Sequence, residues 1–243
     1  MRWLALTLLT AAACGPPTPT DRESGQEAIC VDPDGDGDCD FELDPVCMAG
    51  ADHDPLREDA CLMMALAGAD RRLFAEEAGG AVPLAWDERL YNVALGHAED
   101  MCERDYFEHV NPEGQSPTDR ARAMGYDFSV AENIVVSSST LHSHYLWMDE
   151  PTCEGHRGNV LNPKNQHVGV AVVRCAEGRW QGYLMGVQNF HMTHSAPEPA
   201  FCRSEVTACE MPAEPRSAAF EFCDRCEPTS EPEMMQEWGC PAD

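Results

Sequence analysis

The sequence predicts an α+β domain in which helices and strands are unevenly interleaved. Apolar residues recur at helical spacing over 58–78 and again over 87–104, and two strand-like runs, HVGVAVVRC and YLMGVQNF, follow late in the chain. Three or more helices with a few strands favour a layered fold in which helices pack on a sheet. After residue 196 neither period continues, and five Cys predict an irregular tail held by disulfides.

The first thirteen residues, MRWLALTLLTAAA, have the features of an export signal. One positive charge precedes an apolar run that begins at Trp3 and is too short to span a bilayer. The sequence TAAAC resembles the lipobox of bacterial lipoproteins, in which the signal is cut before a Cys that is then acylated, although Ala11 stands where that box usually has Leu. Cys14 is therefore the predicted lipid attachment site. The alternative is plain cleavage after the alanines, which leaves Cys14 as an ordinary thiol.

These features predict an exported protein. An outer-membrane or cell-surface lipoprotein, which meets the membrane through its lipid anchor only, is the first expectation, and a secreted protein is the alternative. The chain has 13 Cys, and assigning Cys14 to a lipid leaves an even number that can all form disulfides. Lys and Arg number 16 against 43 Asp and Glu, and the net charge of −27 argues against nucleic acid as a partner.

Two segments separate the signal from the predicted domain. Residues 14–29 are rich in Pro, Thr and charge and are expected to form a disordered tether. Residues 30–59 are rich in Asp and Cys, and alternate carboxylates there imitate the start of a calcium loop. The twelfth position of that loop is Leu43, where a bidentate Glu is needed, so a solvated acidic linker stapled by its own Cys is the alternative. The candidate calcium ligands are Asp32, Asp34, Asp36, Asp38 and Asp40.

Capping residues help to place the helices of the domain. Asp87 is an expected N-cap for the helix that runs to about Arg104, and His97 lies on the apolar face of that helix. Ser116 is placed to cap a short helix that extends to about residue 127. Residues 138–148 again show helical spacing, and AEGRWQG forms the turn between the two predicted strands.

Seven motifs follow one another across residues 60–191: HAEDM, YFEHVNPEGQSPTDRARAMGY, AENI, Trp147, GHRGNVLNP, HVGVAVV and QNF. Their order resembles the CAP superfamily, the cysteine-rich secretory, antigen-five and plant pathogenesis-related proteins, and in particular its bacterial SCP-type members. The resemblance implies an α-β-α sandwich with a central cleft for a CAP domain at 60–196. It does not extend to the Asp/Cys-rich segment or to the disulfide-rich irregular tail, residues 197–243.

The resemblance also implies a cleft marked by two His and two Glu. The candidate cleft residues are His109, Glu132, Glu150 and His156, and the candidate supporting residues are His97, Asn133 and Asn159. Two imidazoles and two carboxylates suit Zn²⁺. They equally suit a hydrogen-bonded polar cluster that closes the cleft without metal. Two departures from the family pattern stand out: Ala131 replaces the usual Gly before Glu132, and AGADRR replaces the usual Asn-x-x-Arg of the first helix.

Three functions are compatible with this resemblance. A non-catalytic binding module, secreted or surface-anchored, is the prediction, because several family members are implicated in binding lipids or membranes or in cell–cell interaction; a lipid or a cell-surface partner is implied. A metal-dependent hydrolase or peptidase is the second, although the sequence has no nucleophile elbow and no HExxH motif. A structural surface scaffold is the third. No catalytic residue is assigned, and zinc in the cleft and calcium at the Asp-rich segment are the two cofactor candidates.

Overall fold

The computed structural model describes most of the chain between residues 41 and 192. The described residues are 30–31, 41–49, 54–75, 80, 82–150 and 155–192. The export signal, Cys14, the tether, the candidate calcium ligands and the Cys-rich tail lie outside them, so the statements about those segments stay predictions. No helix among the described residues is long and apolar enough to cross a membrane.

Two short antiparallel strands, β1 (Cys30–Val31) and β2 (Phe41–Glu42), precede a one-turn helix, α1 (Pro45–Met48). The elements that follow are α2 (Pro55–Leu73), β3 (Ala85–Trp86), α3 (Glu88–Arg104), α4 (Pro117–Ala123), β4 (Val130–Ser137), α5 (Thr140–Met148), α6 (Gly155–Leu161), β5 (Asn165–Arg174) and β6 (Leu184–Met192). The main sheet has the strand order β3-β5-β6-β4, with β3 parallel to β5 and the other neighbours antiparallel. The α+β prediction is confirmed.

Side chains alternate between the two faces of the sheet and divide the core into two parts. Val168, Val170 and Val172 of β5 pack in the same cluster as residues of α2, α5 and α6. Ala171 belongs to the cluster on the opposite face, which α3 covers. Gly169 also lies on that face, where a Cβ would come within 1.9 Å of the backbone nitrogen of Tyr91. The fold is therefore the three-layer α-β-α sandwich that the resemblance implied, and α3 lies very close to the sheet.

The helix starts follow their capping residues. α2 begins at Pro55, earlier than predicted, because the Asp54 carboxylate accepts a hydrogen bond from the N–H of Leu56. It also ends earlier than the predicted residue 78. α3 begins directly after Asp87, as predicted. Ser116 caps α4 in a capping box with Asp119, which satisfies backbone donors that have no partner inside the helix.

Strand β4 is the longest of the described elements that the sequence pattern missed. Its residues Asn133 to Ser137 are all buried, because both faces of the strand are covered by helices. A strand buried on both faces lacks the polar–apolar alternation that identifies half-buried strands. The two predicted strands are confirmed as β5 and β6.

Two disulfides are present in the described part of the chain. Cys47 bonds to Cys61, which attaches α1 to α2, and Cys102 bonds to Cys175, which joins the end of α3 to the end of β5. The alternative in which the Asp/Cys-rich segment forms disulfides only within itself is thus wrong for Cys47, whose partner Cys61 lies in α2. Because Cys61 lies on the buried face of α2, this bond also holds the segment before the helix against the core.

Candidate functional site

The first pair of candidate cleft residues joins the loop after α3 to strand β4. His109 Nδ1 lies 3.0 Å from Glu132 Oε1, and the His109 side chain is 49% exposed whereas that of Glu132 is 1% exposed. The Glu132 carboxylate is carried by the third residue of β4, a strand that pairs with β6 along its whole length. It fixes one edge of the imidazole ring and leaves the other edge directed away from the strand.

Glu132 has a second set of partners on its other oxygen. Arg120 Nη2 donates to Glu132 Oε2 at 2.6 Å. With its amide in the orientation that satisfies both ends, Asn189 donates to the same oxygen at 3.0 Å and accepts from the N–H of Ala94 at 3.2 Å. Both carboxylate oxygens are therefore hydrogen-bonded, and the guanidinium compensates the buried negative charge.

His97 supports the His109–Glu132 pair by a hydrogen bond to the backbone next to His109. It is 1% exposed, and its Nε2 lies 3.0 Å from the carbonyl oxygen of Glu108, the residue before His109, and 3.8 Å from Glu132 Oε1. Burial lowers the pKa of His97, more than the nearby carboxylate of Glu132 raises it. The neutral ring with hydrogen on Nε2 donates to that carbonyl. His97 thereby holds the loop that presents His109.

The second pair lies at the start of α6. His156 Nδ1 is 2.5 Å from Glu150 Oε1, and the backbone N–H of His156 donates to Glu150 Oε2 at 2.6 Å. Burial alone would raise the pKa of Glu150, but the hydrogen bonds from His156 outweigh it and lower the pKa. Gly155, at φ 59°, allows this approach, because a Cβ there would lie 2.2 Å from Glu150 Oε2.

An amide network connects the two pairs. Asn133, the neighbour of Glu132 on β4, donates through Nδ2 to the carbonyl oxygen of His156 at 3.2 Å and to Gln188 Oε1 at 3.1 Å. Asn159 Nδ2 donates to Asn133 Oδ1 at 2.9 Å. Both Asn side chains thus link β4 to α6, and the structure brings every candidate cleft and supporting residue into one connected polar network.

Residues 53–190 match the family model described as the cysteine-rich secretory protein family, CAP. The chain belongs to this family. It is 38% identical over 96 residues to an uncharacterized protein of Bacillus subtilis, YkwD, with 39% of this chain and 36% of that protein covered. It is 38% identical over 103 residues to an uncharacterized membrane protein of the same organism, YlbC, with 39% of this chain and 27% of that protein covered. The chain thus spans about a third of the length of these relatives.

Two solved structures are similar to this member of the CAP family. One is an extracellular protein containing a SCP domain from Bacillus anthracis, at 26% identity and a TM-score of 0.44, with 62% of this chain and 44% of that chain covered. The other is an outer surface protein from Borrelia burgdorferi, at 17% identity and a TM-score of 0.47, with 56% of this chain and 92% of that chain covered.

The donor set does not fit a zinc ion held by all four cleft side chains. Among the described residues, no group of three or more His, Cys, Asp or Glu is placed to hold a metal. Glu132 and Glu150 each accept from an imidazole Nδ1, and Arg120 places a positive charge against Glu132. A cation beside that guanidinium would be repelled. The arrangement fits the hydrogen-bonded polar cluster that the sequence left open as the alternative to a metal.

Three residues of the network, Arg120, Gln188 and Asn189, were not predicted. Arg120 lies among charged residues of a short helix, where no spacing distinguishes it from an exposed arginine. Gln188 and Asn189 gave a usable signal, because this polar pair interrupts the apolar run from Leu184 to Phe190 in strand β6 and both side chains are fully buried. Buried amides are expected to have hydrogen-bond partners, so the QNF motif predicts a polar network on both faces of the strand.

Proposed function

We propose that this CAP protein is exported and is a non-catalytic binding module whose ligand contacts the outer edges of His109 and His156. The observation that supports this function is that the carboxylates of Glu132 and Glu150 are both hydrogen-bonded to groups of the protein itself. Glu132 and Glu150 each orient one imidazole through Nδ1. No hydrogen bond from the described residues engages Nε2 of either ring, so each ring offers a fixed polar edge to a ligand.

The same geometry argues against hydrolysis at this site. A hydrolase needs a nucleophile, or a water activated by a base or metal, within hydrogen-bond reach of the base. Within the described part of the chain, no Ser, Thr or Cys side chain is hydrogen-bonded to His109 or His156. Both oxygens of Glu132 already accept hydrogen bonds inside the protein, from Arg120 at 2.6 Å and from His109 at 3.0 Å, so the carboxylate has no oxygen free to orient a water.

Export is supported by the chemistry of the chain. Two disulfides in the described residues are typical of proteins that fold in an oxidising compartment. The predicted signal and the acylation site at Cys14 would attach the protein to a membrane through a lipid. In that setting the partner is a lipid or another component of the cell surface, and the net charge of −27 favours an uncharged or zwitterionic surface.

Vesicle co-sedimentation tests the binding function. The probes are phosphatidylcholine vesicles and vesicles made from lipids extracted from the producing cells, with protein that carries Cys14→Ser so that its own anchor does not contribute. We expect wild-type His109 and His156 to support binding, and His109→Ala and His156→Ala each to weaken it at least fivefold. Glu103→Ala, an exposed change on α3, is the matched control and should leave binding unchanged.

A hydrolysis screen separates this proposal from the enzyme. Peptide and ester substrates are incubated with the protein with and without added Zn²⁺. Turnover that requires Zn²⁺ and disappears in His156→Ala would contradict the binding module and show that the protein is a metal-dependent hydrolase. Vesicle binding that is equal in wild type and in both His variants would contradict the proposed ligand contacts and favour a structural surface scaffold.

A further inference from the structure

A cavity of about 670 Å³ lies between α2 and the segment that precedes it, and its lining includes none of the cleft residues. Its walls are residues 41–45, one side of α2 and residues 82–84. Most of the lining is apolar, with Phe41, Leu43 and Met64 among the contributors. This volume lies within the range of small-molecule sites, which are largely apolar with a few placed polar groups.

The placed polar group in this cavity is Arg71. The residue is 1% exposed, its Nε donates to the carbonyl oxygen of Val82 at 2.6 Å, and its Nη1 donates to that of Val160 at 2.9 Å. Its Nη2 is itself buried and has no hydrogen-bond partner among the described residues, so the protein leaves part of this guanidinium uncompensated. Burial lowers the pKa of Arg71 to about 10, which leaves the guanidinium charged at neutral pH.

Arg71 has no carboxylate partner among the described residues. The two carbonyl oxygens accept from Nε and Nη1, but they supply no full negative charge. Buried guanidinium groups are otherwise paired with an anion, because an uncompensated buried charge is strongly unfavourable. A second cation, the exposed Arg72, lines the same cavity. The cavity therefore has a positive end and apolar walls.

We propose that this cavity binds a ligand that carries one carboxylate on a compact apolar group, with the carboxylate paired with the exposed Arg72 and attracted by the uncompensated charge of Arg71. Arginine and carboxylate form strong charge-assisted hydrogen bonds, and Arg72 is the guanidinium that a ligand in the cavity can reach. Glu42 and Asp44 also line the cavity, on the segment opposite α2. Their charges disfavour phosphates and polyanions, so the expected ligand has a single negative charge. The proposal does not depend on the function proposed for the cleft.

Acid and amide pairs test the charge requirement. N-acetyl-leucine and N-acetyl-leucinamide share one apolar group and differ in the carboxylate, and N-acetyl-Ala-Ala-Leu with its amide repeats the comparison for a peptide C-terminus. In isothermal titration of the purified exported protein at low salt, the Kd of at least one acid should be at least tenfold lower than the Kd of its amide. Tighter binding of the small acid would identify a free acid as the source, and tighter binding of the peptide acid a chain terminus.

Variants locate the binding in this cavity without disturbing Arg71, whose backbone hydrogen bonds are structural. A Cβ at Gly68 would meet only Arg72 Nη1, at 3.7 Å, so Gly68→Met should fill the cavity with the helix intact and abolish acid binding. Arg72→Glu should weaken binding of the acid at least fivefold. Arg122→Glu, an exposed reversal on α4, is the matched control and should change nothing. Absence of acid binding, equal affinity for acid and amide, or acid binding unchanged in Gly68→Met would overturn the proposal.

Discussion

Replacing Arg120 by Met should destabilise the protein through the charge that it leaves behind. The Arg120 side chain is 10% exposed and that of its partner Glu132 is 1% exposed, so the ion pair is shielded from water. Arg120 also donates to the carbonyl oxygens of His109, at 2.8 Å, and Gln115, at 3.0 Å. Removing one member of a buried pair costs about 3–5 kcal/mol. Because Asn189 and His109 still hydrogen-bond to the carboxylate, we expect the lower end, about 3 kcal/mol.

Urea unfolding measures this loss. With a slope of about 2 kcal/mol per molar urea, the midpoint should fall by about 1.5 M. Adding Glu132→Gln to Arg120→Met should restore part of the stability, because no unpaired charge then remains in the core. Arg122→Met, on the same helix with a side chain that is 58% exposed, should change the free energy of unfolding by less than about 0.5 kcal/mol. A loss below about 1 kcal/mol in Arg120→Met, or no recovery in the double variant, would refute the reasoning.

Three further predictions concern packing, pH and anchoring. Gly169→Ala should cost about 3 kcal/mol or more in urea unfolding, because the new Cβ would overlap the Tyr91 backbone; a loss under about 1 kcal/mol would contradict it. Burial alone would raise the pKa of Glu150, but the hydrogen bonds from His156 lower it by more, so the folded pKa lies below the unfolded one. The ionised Glu150 therefore stabilises the protein above the unfolded pKa of about 4.3, and this stabilisation is lost as pH falls through the folded pKa. Between about pH 5 and pH 3 the wild type should therefore lose more stability than Glu150→Gln, and parallel curves would count against this. Cys14→Ser should move the protein from the membrane to the soluble fraction, and unchanged fractionation would exclude the anchor.

Local chemistry accounts for the parts of the fold that were predicted. Asp87 and Ser116 accept from backbone N–H groups a few residues further on, so the starts of α3 and α4 depend on neighbours in sequence. The strands β5 and β6 were recognised from short apolar runs next to a turn. Strand β4 was missed because tertiary packing covers both of its faces, and the pairing of Cys47 with Cys61 was missed because disulfide connectivity is not encoded in spacing.

The sequence by itself determined the candidates for a cleft, because the order of its motifs resembles that of the CAP family, and this resemblance implies His109, Glu132, Glu150 and His156 without coordinates. Only the tertiary structure decided what those residues do to one another. The partners of Glu132 come from other elements, Arg120 from α4 and Asn189 from β6, and their distances depend on how helices pack on the sheet. Hydrogen bonds act over about 3 Å, whereas sequence patterns specify only which face of an element a residue occupies. That difference in scale is why the sequence could name these four candidate residues but not the network that connects them.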